Sequence, residues 1–274
     1  MYNLLISVAI SVALFGVGFA TTGEWVAGVI PGTIALGVTY FLLMRRTGRQ
    51  LEVIMNTAMG EFQKMQQPMS AEQQRINEQH MARGKEILES GLALAPWQFL
   101  IAEQIEAQLG SLAYMKMDYA AARPHLEKSW TRNWQAQTML ALLDFREGKN
   151  EDALARLGKQ TGNGGKDPTF WAVYATVAYR AKEKDIALRA INEGLEKNEG
   201  SDLLQTLADQ LRNKKPLTPE MMGQPWLQFF PEDARKVMAA NPSLAPQQPL
   251  NRAQRRALKR GKKLSDPNLN HPRY

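Results

Sequence analysis

The chain has 274 residues, no cysteine, and 34 basic against 27 acidic residues, which gives a formal net charge of +7. The lack of cysteine excludes a disulfide-stapled scaffold and a cysteine-ligated zinc site. The tail at 251–274 contains eight basic residues and one acidic residue. The whole positive excess therefore lies in this tail, and the rest of the chain is neutral.

The N-terminal part contains two apolar stretches, 4–20 and 25–44, which no Lys or Arg interrupts. At about 1.5 Å per residue they extend about 26 and 30 Å, enough to cross a hydrocarbon core. A cleaved secretory signal is disfavoured, since no Lys or Arg precedes the first stretch and no A-x-A site follows it. We predict a transmembrane helical hairpin over 1–46, with a GxxxG spacing from Gly28 to Gly32.

The positive charges beside the second stretch predict the orientation of this hairpin. Arg45, Arg46 and Arg49 follow the second stretch directly, whereas the loop between the stretches carries only Glu24. Because cytoplasmic loops are enriched in Lys and Arg, both termini should be cytoplasmic. The expected location is the bacterial inner membrane, with some 230 residues of soluble chain on the cytoplasmic side.

A connecting amphipathic helix is predicted over 47–68, where apolar residues recur at helical spacing and Pro68 ends the pattern. Its apolar residues are Leu51, Ile54, Met55, Ala58, Met59, Phe62 and Met65. Three placements stay open: on the bilayer, packed against the following domain, or against a partner helix, for which methionine is an adaptable contact.

Small residues recur at a fixed interval further along the chain. Ala141 and Ala175 are 34 residues apart, and so are Ala153 and Ala187. On these residues the segment 140–157 resembles a tetratricopeptide repeat, a 34-residue helix–turn–helix with small residues at positions 8 and 20. The resemblance implies a helical repeat fold and a peptide-binding surface, and it implies no reaction.

Further units fit the same pattern on either side. One begins at Pro168, with Trp171 at position 4, and another begins at Glu103. A weaker half-match ends at Pro96, and 202–212 is predicted to be a capping helix. Small residues at positions 8 and 20 let the two helices of a unit approach closely, and about three units are needed to bury a continuous core.

The predicted fold class is therefore all-α: a two-helix transmembrane hairpin, then a tetratricopeptide-like α-solenoid of about three helical hairpins. The repeat domain is placed at 70–215 and is followed by a Pro-rich docking segment at 216–249 and a basic, largely irregular tail at 250–274. Within the docking segment, Trp226, Leu227, Phe229 and Phe230 are predicted to pack back onto the repeats.

The resemblance also implies which residues line the binding groove, since in this family the first helix of each unit faces the partner. Position 12 is aromatic in all three units, and position 13 carries two arginines. The candidate groove residues are Gln104, Tyr114, Met115, Thr138, Leu142, Phe145, Arg146, Thr176, Tyr179 and Arg180. An extended or helical peptide partner held by aromatic contacts and acidic groups is expected. The alternative is that the aromatics are packing residues between neighbouring first helices.

The basic tail is a second candidate binding element. Its charges are Arg252, Arg255, Arg256, Lys259, Arg260, Lys262 and Lys263. An anionic leaflet would attract them, as would the phosphates of RNA or a ribosome. No aromatic residue interleaves the basic run to stack on bases. A solvated tail with no specific target is the third possibility.

The sequence offers no sign of catalysis. We predict no catalytic residue, no metal site and no cofactor, because His80, His125 and His271 lack metal-ligand spacing and no phosphate-binding loop is present. The carboxylates are interpreted as solvated residues on helix faces. The favoured function is a membrane-anchored scaffold or adaptor that binds a protein partner. The alternatives are nucleic-acid or ribosome binding through the tail, and an accessory subunit of a larger membrane complex.

Overall fold

A computed structural model describes residues 1–65, 71–213, 215–218, 222 and 224–234. Helices and no strands are found within these residues, so the all-α prediction is confirmed. The α-helices are α1 Tyr2–Thr22, α2 Trp25–Gln63, α3 Ala71–Ser90, α4 Ile101–Met115, α5 Tyr119–Glu127, α6 Trp134–Arg146, α7 Asn150–Lys159, α8 Pro168–Arg180, α9 Lys184–Lys197 and α10 Asp202–Arg212. Short 3₁₀ helices occupy Gly91–Leu94, Gln224–Gln228 and Pro231–Asp233.

Helices α1 and α2 form a tightly packed pair, and both are long and apolar enough to cross a membrane. The close approach depends on residues without large side chains. A Cβ added to Gly28 would lie 2.6 Å from the carbonyl oxygen of Phe15. The hydroxyl of Ser11 donates a hydrogen bond to the Gly32 carbonyl at 2.7 Å. The Gly28–Gly32 spacing thus lies in the contact between the two helices, as is usual for close helix pairs in bilayers.

Replacing Gly28 with leucine should separate α1 from α2, because the new side chain would meet the backbone of α1. Gly37 is the matched control, since a Cβ there meets nothing within 4 Å. Cysteines introduced at Asn3 and Thr47, whose side chains are 2.9 Å apart, report the separation by disulfide formation in a chain without other thiols. We expect Gly28→Leu to reduce cross-linking strongly and Gly37→Leu to leave it unchanged. Equal cross-linking in both variants would contradict the packing.

Helix α2 continues well beyond the second apolar stretch. The sequence predicted a separate connecting helix from residue 47, but one helix runs over Trp25–Gln63, about 58 Å long at 1.5 Å per residue. No proline follows Pro31 within the helix, and residues 45–63 are mostly good helix formers, so nothing ends it after Arg46. The expected terminator, Pro68, lies outside the described residues.

The second half of α2 packs against the following helices. Ala58 joins a buried cluster with Leu88 of α3 and Ile101 and Ile105 of α4, and Leu51, Met55 and Phe62 pack around it. Gly84 of α3 admits this contact, because a Cβ there would overlap the ring of Phe62. Of the three open placements, the structure shows packing against the following domain.

A polar cluster joins the C-terminal end of α2 to the middle of α3. Glu61 accepts hydrogen bonds from Lys64 and from the ring of His80, the latter at 2.8 Å. These two hydrogen bonds, first from Lys64 and then from His80, lower the pKa of Glu61 to about 2. The carboxylate therefore stays ionised at neutral pH and ties the two helices.

The next six helices form three helical hairpins at the spacing that the sequence predicted. The small residues at positions 8 and 20 are all buried between their helices: Gly110, Ala122, Ala141, Ala153, Ala175 and Ala187. At Gly110 an added Cβ would lie 2.7 Å from Leu126 of the facing helix. The second helix of each pair therefore packs directly on the first helix's backbone.

The turns within the three hairpins share one geometry. Each contains a residue with left-handed backbone, at Met117 (φ 62°), Gly148 (φ 80°) and Lys182 (φ 68°). The next residue donates its N–H to a carbonyl five residues earlier, at 3.0, 2.9 and 2.9 Å in turn. This is the helix-ending pattern that favours glycine. Gly148 and Lys182 are 34 residues apart, the same spacing as Ala141 and Ala175, so the periodicity is structural as well as compositional.

Candidate protein-binding groove

The first helices of the three hairpins, α4, α6 and α8, present a face that the chain's own residues 224–234 cover. We call these residues the groove segment. Its aromatic side chains Trp226, Phe229 and Phe230 are each 1–2% exposed and belong to the main hydrophobic core. Trp226 stacks on Phe230 with ring centroids 4.1 Å apart. The segment is thus anchored by buried rings, in the manner of a bound peptide.

Tyr114 at the end of α4 makes the central polar contact with the groove segment. Its hydroxyl donates a hydrogen bond to the Phe229 carbonyl at 2.8 Å, and its ring is fully buried. Burial raises the pKa of Tyr114, so the hydroxyl remains protonated and available as a donor. The Phe229 ring packs beside Trp134 at the start of α6, with centroids 5.9 Å apart.

Two arginines complete the contacts at the far ends of α6 and α8. Arg146 forms an ion pair with Glu232 of the groove segment and lies over the ring of Tyr119, 4.6 Å from its centroid. Arg180 lies over the ring of Phe230, 5.1 Å from its centroid. The face therefore offers aromatic, carbonyl-binding and acid-binding contacts, and the segment supplies a group for each.

The structure brings only some of the predicted groove residues together on the segment. Tyr114, Arg146 and Arg180 contact it as just described. Phe145 and Tyr179 are partly buried and pack against the core. Leu142, Thr138 and Thr176 are buried, and Gln104 and Met115 are exposed. The predicted return of Trp226, Leu227, Phe229 and Phe230 onto the repeats is what the structure shows. The seven basic tail positions lie outside the described residues.

Two of the predicted groove residues carry polar atoms that the segment does not satisfy. The hydroxyls of Thr138 in α6 and Thr176 in α8 are buried and have no hydrogen-bond partner among the described residues. A buried hydroxyl without a partner costs about 1–3 kcal/mol. Both hydroxyls therefore have hydrogen-bonding capacity that no contact among the described residues uses.

Sequence reasoning missed a buried ion cluster behind the face. Asp144 of α6, 4% exposed, accepts from Arg123 of α5 at 2.9 Å and from Arg156 of α7 at 3.1 Å. The interpretation of the carboxylates as solvated was wrong for this residue. The signal was available: Asp144 stands at position 11, where the third unit has the buried Ala178. A charged residue at a repeat position that is normally apolar indicates that an oppositely charged residue is buried with it.

Two of the three histidines have carboxylate partners on neighbouring helices. The ring of His125 in α5 lies 2.6 Å from Glu106 of α4, and that of His80 in α3 contacts Glu61 of α2. Each pair joins two helices that are consecutive in the chain. Their geometry assigns both rings a structural contact.

No protein-family model matches this chain, and no curated protein or solved structure matches it either. Any function must therefore be argued from the hairpin, the repeats and the occupied face.

Proposed function

We propose that this chain is a membrane-anchored scaffold of tetratricopeptide-like repeats whose first-helix face holds a protein partner. The observation that carries the proposal is the groove segment, because the face already binds eleven residues of peptide through buried aromatic rings and an ion pair. A surface that binds one peptide in this way has the chemistry to bind another of the same type.

The anchor in this proposal is the α1–α2 hairpin, which spans the bacterial inner membrane with both termini in the cytoplasm. Its length, apolarity and close packing support the span, and exposed Arg45, Arg46 and Arg49 beside the second stretch support the orientation. Because α2 runs on into the packing of α3 and α4, the repeats are held at the membrane by a rigid helix.

The partner in this proposal carries aromatic residues followed by an acidic one, as in Phe229, Phe230 and Glu232, and exchanges for the groove segment. Two features support an exchange. The segment is held by side chains and one backbone carbonyl and not by a helix pair, and the buried hydroxyls of Thr138 in α6 and Thr176 in α8 have no hydrogen-bond partner among the described residues. The unused hydroxyls would favour a partner that adds polar groups at those points.

A labelled synthetic peptide with the sequence of 222–234 tests the face directly against the full chain in detergent. The groove segment is first weakened by Glu232→Ala, which removes the ion pair with Arg146 and replaces an exposed residue. We expect this variant to bind the peptide several-fold more tightly than the wild type, since its own segment competes less. Adding Arg180→Ala should reverse the gain. Arg132→Ala is the control, because that guanidinium lies over Trp130, 6.0 Å from its centroid, in the α5–α6 connection.

The proposal of an exchangeable face fails if the weakened variant keeps its helical circular dichroism and binds no peptide. Purification of the wild-type chain in mild detergent then identifies the natural partner. Recovery of a stoichiometric membrane complex bound through the hairpin would replace the scaffold proposal with the accessory-subunit alternative. Recovery of ribosomes that are lost when 250–274 is removed would replace it with ribosome binding through the tail.

A further inference from the structure

The loop at 95–100, between the first 3₁₀ helix and α4, is fastened to the start of the transmembrane hairpin. The backbone N–H of Tyr2 donates to the Pro96 carbonyl at 2.9 Å, and that of Asn3 donates to the Trp97 carbonyl at 3.2 Å. These are two of the N–H groups at the start of α1 that have no partner within the helix. The loop therefore caps α1.

A buried side-chain contact fixes the same place on α2. The Asn3 amide donates to the Thr47 hydroxyl at 2.9 Å, and both residues are buried. Thr47 directly follows Arg45 and Arg46, so the loop is linked through Asn3 to the turn of α2 that carries these arginines. If 25–44 fills the hydrocarbon core, the loop lies at the depth of the lipid headgroups.

The side chains that the loop leaves exposed are those that suit this depth. Trp97 is 41% exposed, Phe99 is 45% exposed and Tyr2 is 51% exposed, and the Tyr2 and Trp97 rings meet edge-on with centroids 5.4 Å apart. Arg45, Arg46 and Arg49, which flank Thr47 along α2, are exposed as well. Tryptophan and tyrosine concentrate at membrane interfaces, where a ring meets acyl chains and a polar edge meets water.

We propose that Tyr2, Trp97 and Phe99 form a membrane-interface site, which seats the loop at the headgroup–acyl boundary of the bilayer that the hairpin crosses. The arginines of this part of α2 bind anionic headgroups. The inference rests on the membrane-spanning hairpin of the proposed function. The site holds the N-terminal end of α4, and with it the first repeat, against the bilayer in one orientation.

The absence of cysteine allows a test at single positions in the full chain. Single cysteines at Phe99, Met117 and Val12 are labelled with an environment-sensitive fluorophore in vesicles of phosphatidylcholine and phosphatidylglycerol. Met117 is the matched control, since it is 53% exposed and lies beyond the opposite end of α4, about 22 Å along that helix. Val12 is 63% exposed in the middle of α1 and reports the hairpin itself.

We expect nitroxide lipids with the spin label near the glycerol to quench the label at Phe99→Cys several-fold more than the label at Met117→Cys, and aqueous iodide to do the reverse. Equal iodide quenching of the labels at Phe99→Cys and Met117→Cys would overturn the interface site. In that case, quenching of the label at Val12→Cys by lipids with a spin label deep in the acyl chain would show that the hairpin still crosses the membrane. Shielding of Phe99→Cys from both quenchers would assign the loop to a protein contact and also overturns the site. Loss of lipid quenching at Val12→Cys would instead overturn the membrane anchor.

Discussion

Replacing Tyr114 with alanine should lower the free energy of unfolding by about 3–5 kcal/mol, the range for deleting a large buried aromatic side chain. The ring is fully buried, packs 5.2 Å from the ring of Tyr119, and donates its hydroxyl to the Phe229 carbonyl. The sequence alone left open whether this tyrosine meets a partner or the core. Its burial now predicts a large loss of stability, measured by chemical or thermal unfolding of the repeat domain's helical signal.

Two further variants separate the contribution of the Tyr114 hydroxyl from that of its buried ring. Tyr114→Phe keeps the ring and leaves the Phe229 carbonyl without its donor, so a loss of about 1 kcal/mol is expected. Tyr179→Ala should cost less than Tyr114→Ala, because Tyr179 is only partly buried. An unchanged unfolding midpoint in Tyr114→Ala would show that the groove segment does not cover this residue in solution, and would favour an open groove.

Replacing Asp144 with alanine should have the second large effect, a loss of about 2–3 kcal/mol. Removing one partner of a buried ion pair leaves a charge without compensation, which typically costs 3–5 kcal/mol. The arginines are partly exposed, at 25% for Arg123 and 36% for Arg156, so water offsets part of that cost. The loss should appear in unfolding of the full chain by denaturant, with an unchanged slope.

Glu147→Gln is the matched control for Asp144→Ala. Glu147 also bonds to Arg123, at 2.8 Å, but is 46% exposed, and solvent screens a surface pair of this kind so that it contributes little to stability. A loss in Glu147→Gln as large as that in Asp144→Ala would show that burial of Asp144 is not the cause. Because Arg123 and Arg156 belong to successive units, the Asp144 variant should also weaken the contact between the first and second hairpins.

The positions of the helices followed closely from the sequence where local signals agreed. The 34-residue spacing of Ala141 with Ala175 predicted the pairs α6–α7 and α8–α9, because small residues are required wherever two helix backbones touch. The hairpin likewise followed from the length and apolarity of its two stretches. These features depend on residues near one another in the chain, and a single helix or helix pair can be read from its own pattern.

The continuation of α2 past Arg46 was missed because a change from apolar to polar residues marks a change of solvent and not the end of a helix. Only a breaking residue or a competing cap ends a helix. Between Arg46 and Gln63 there is no proline, and the helix runs through Gly48 and Gly60, so it passes from one environment to the other without interruption.

The individual contacts between the groove segment and the first-helix face could not be predicted from sequence patterns. The sequence identified Tyr114, Arg146 and Arg180 as one surface and Phe229 and Phe230 as a docking element, but it did not pair them. Tyr114 and Phe229 are 115 residues apart, and their hydrogen bond depends on how three hairpins stack and where the chain returns after α10. A hydrogen bond between two single residues leaves no repeated pattern in the sequence from which it could be predicted.

The amino-acid sequence by itself determined that this protein is all-α, that two apolar helices precede a series of helical hairpins, and which small residues let the paired helices pack, because these properties arise from local patterns and their spacing. Only the tertiary structure decided that Asp144 is buried between two arginines, that the loop at 95–100 caps α1, and that residues 224–234 fill the first-helix face. Each of these depends on groups that are distant in the chain and become neighbours only when the core is assembled.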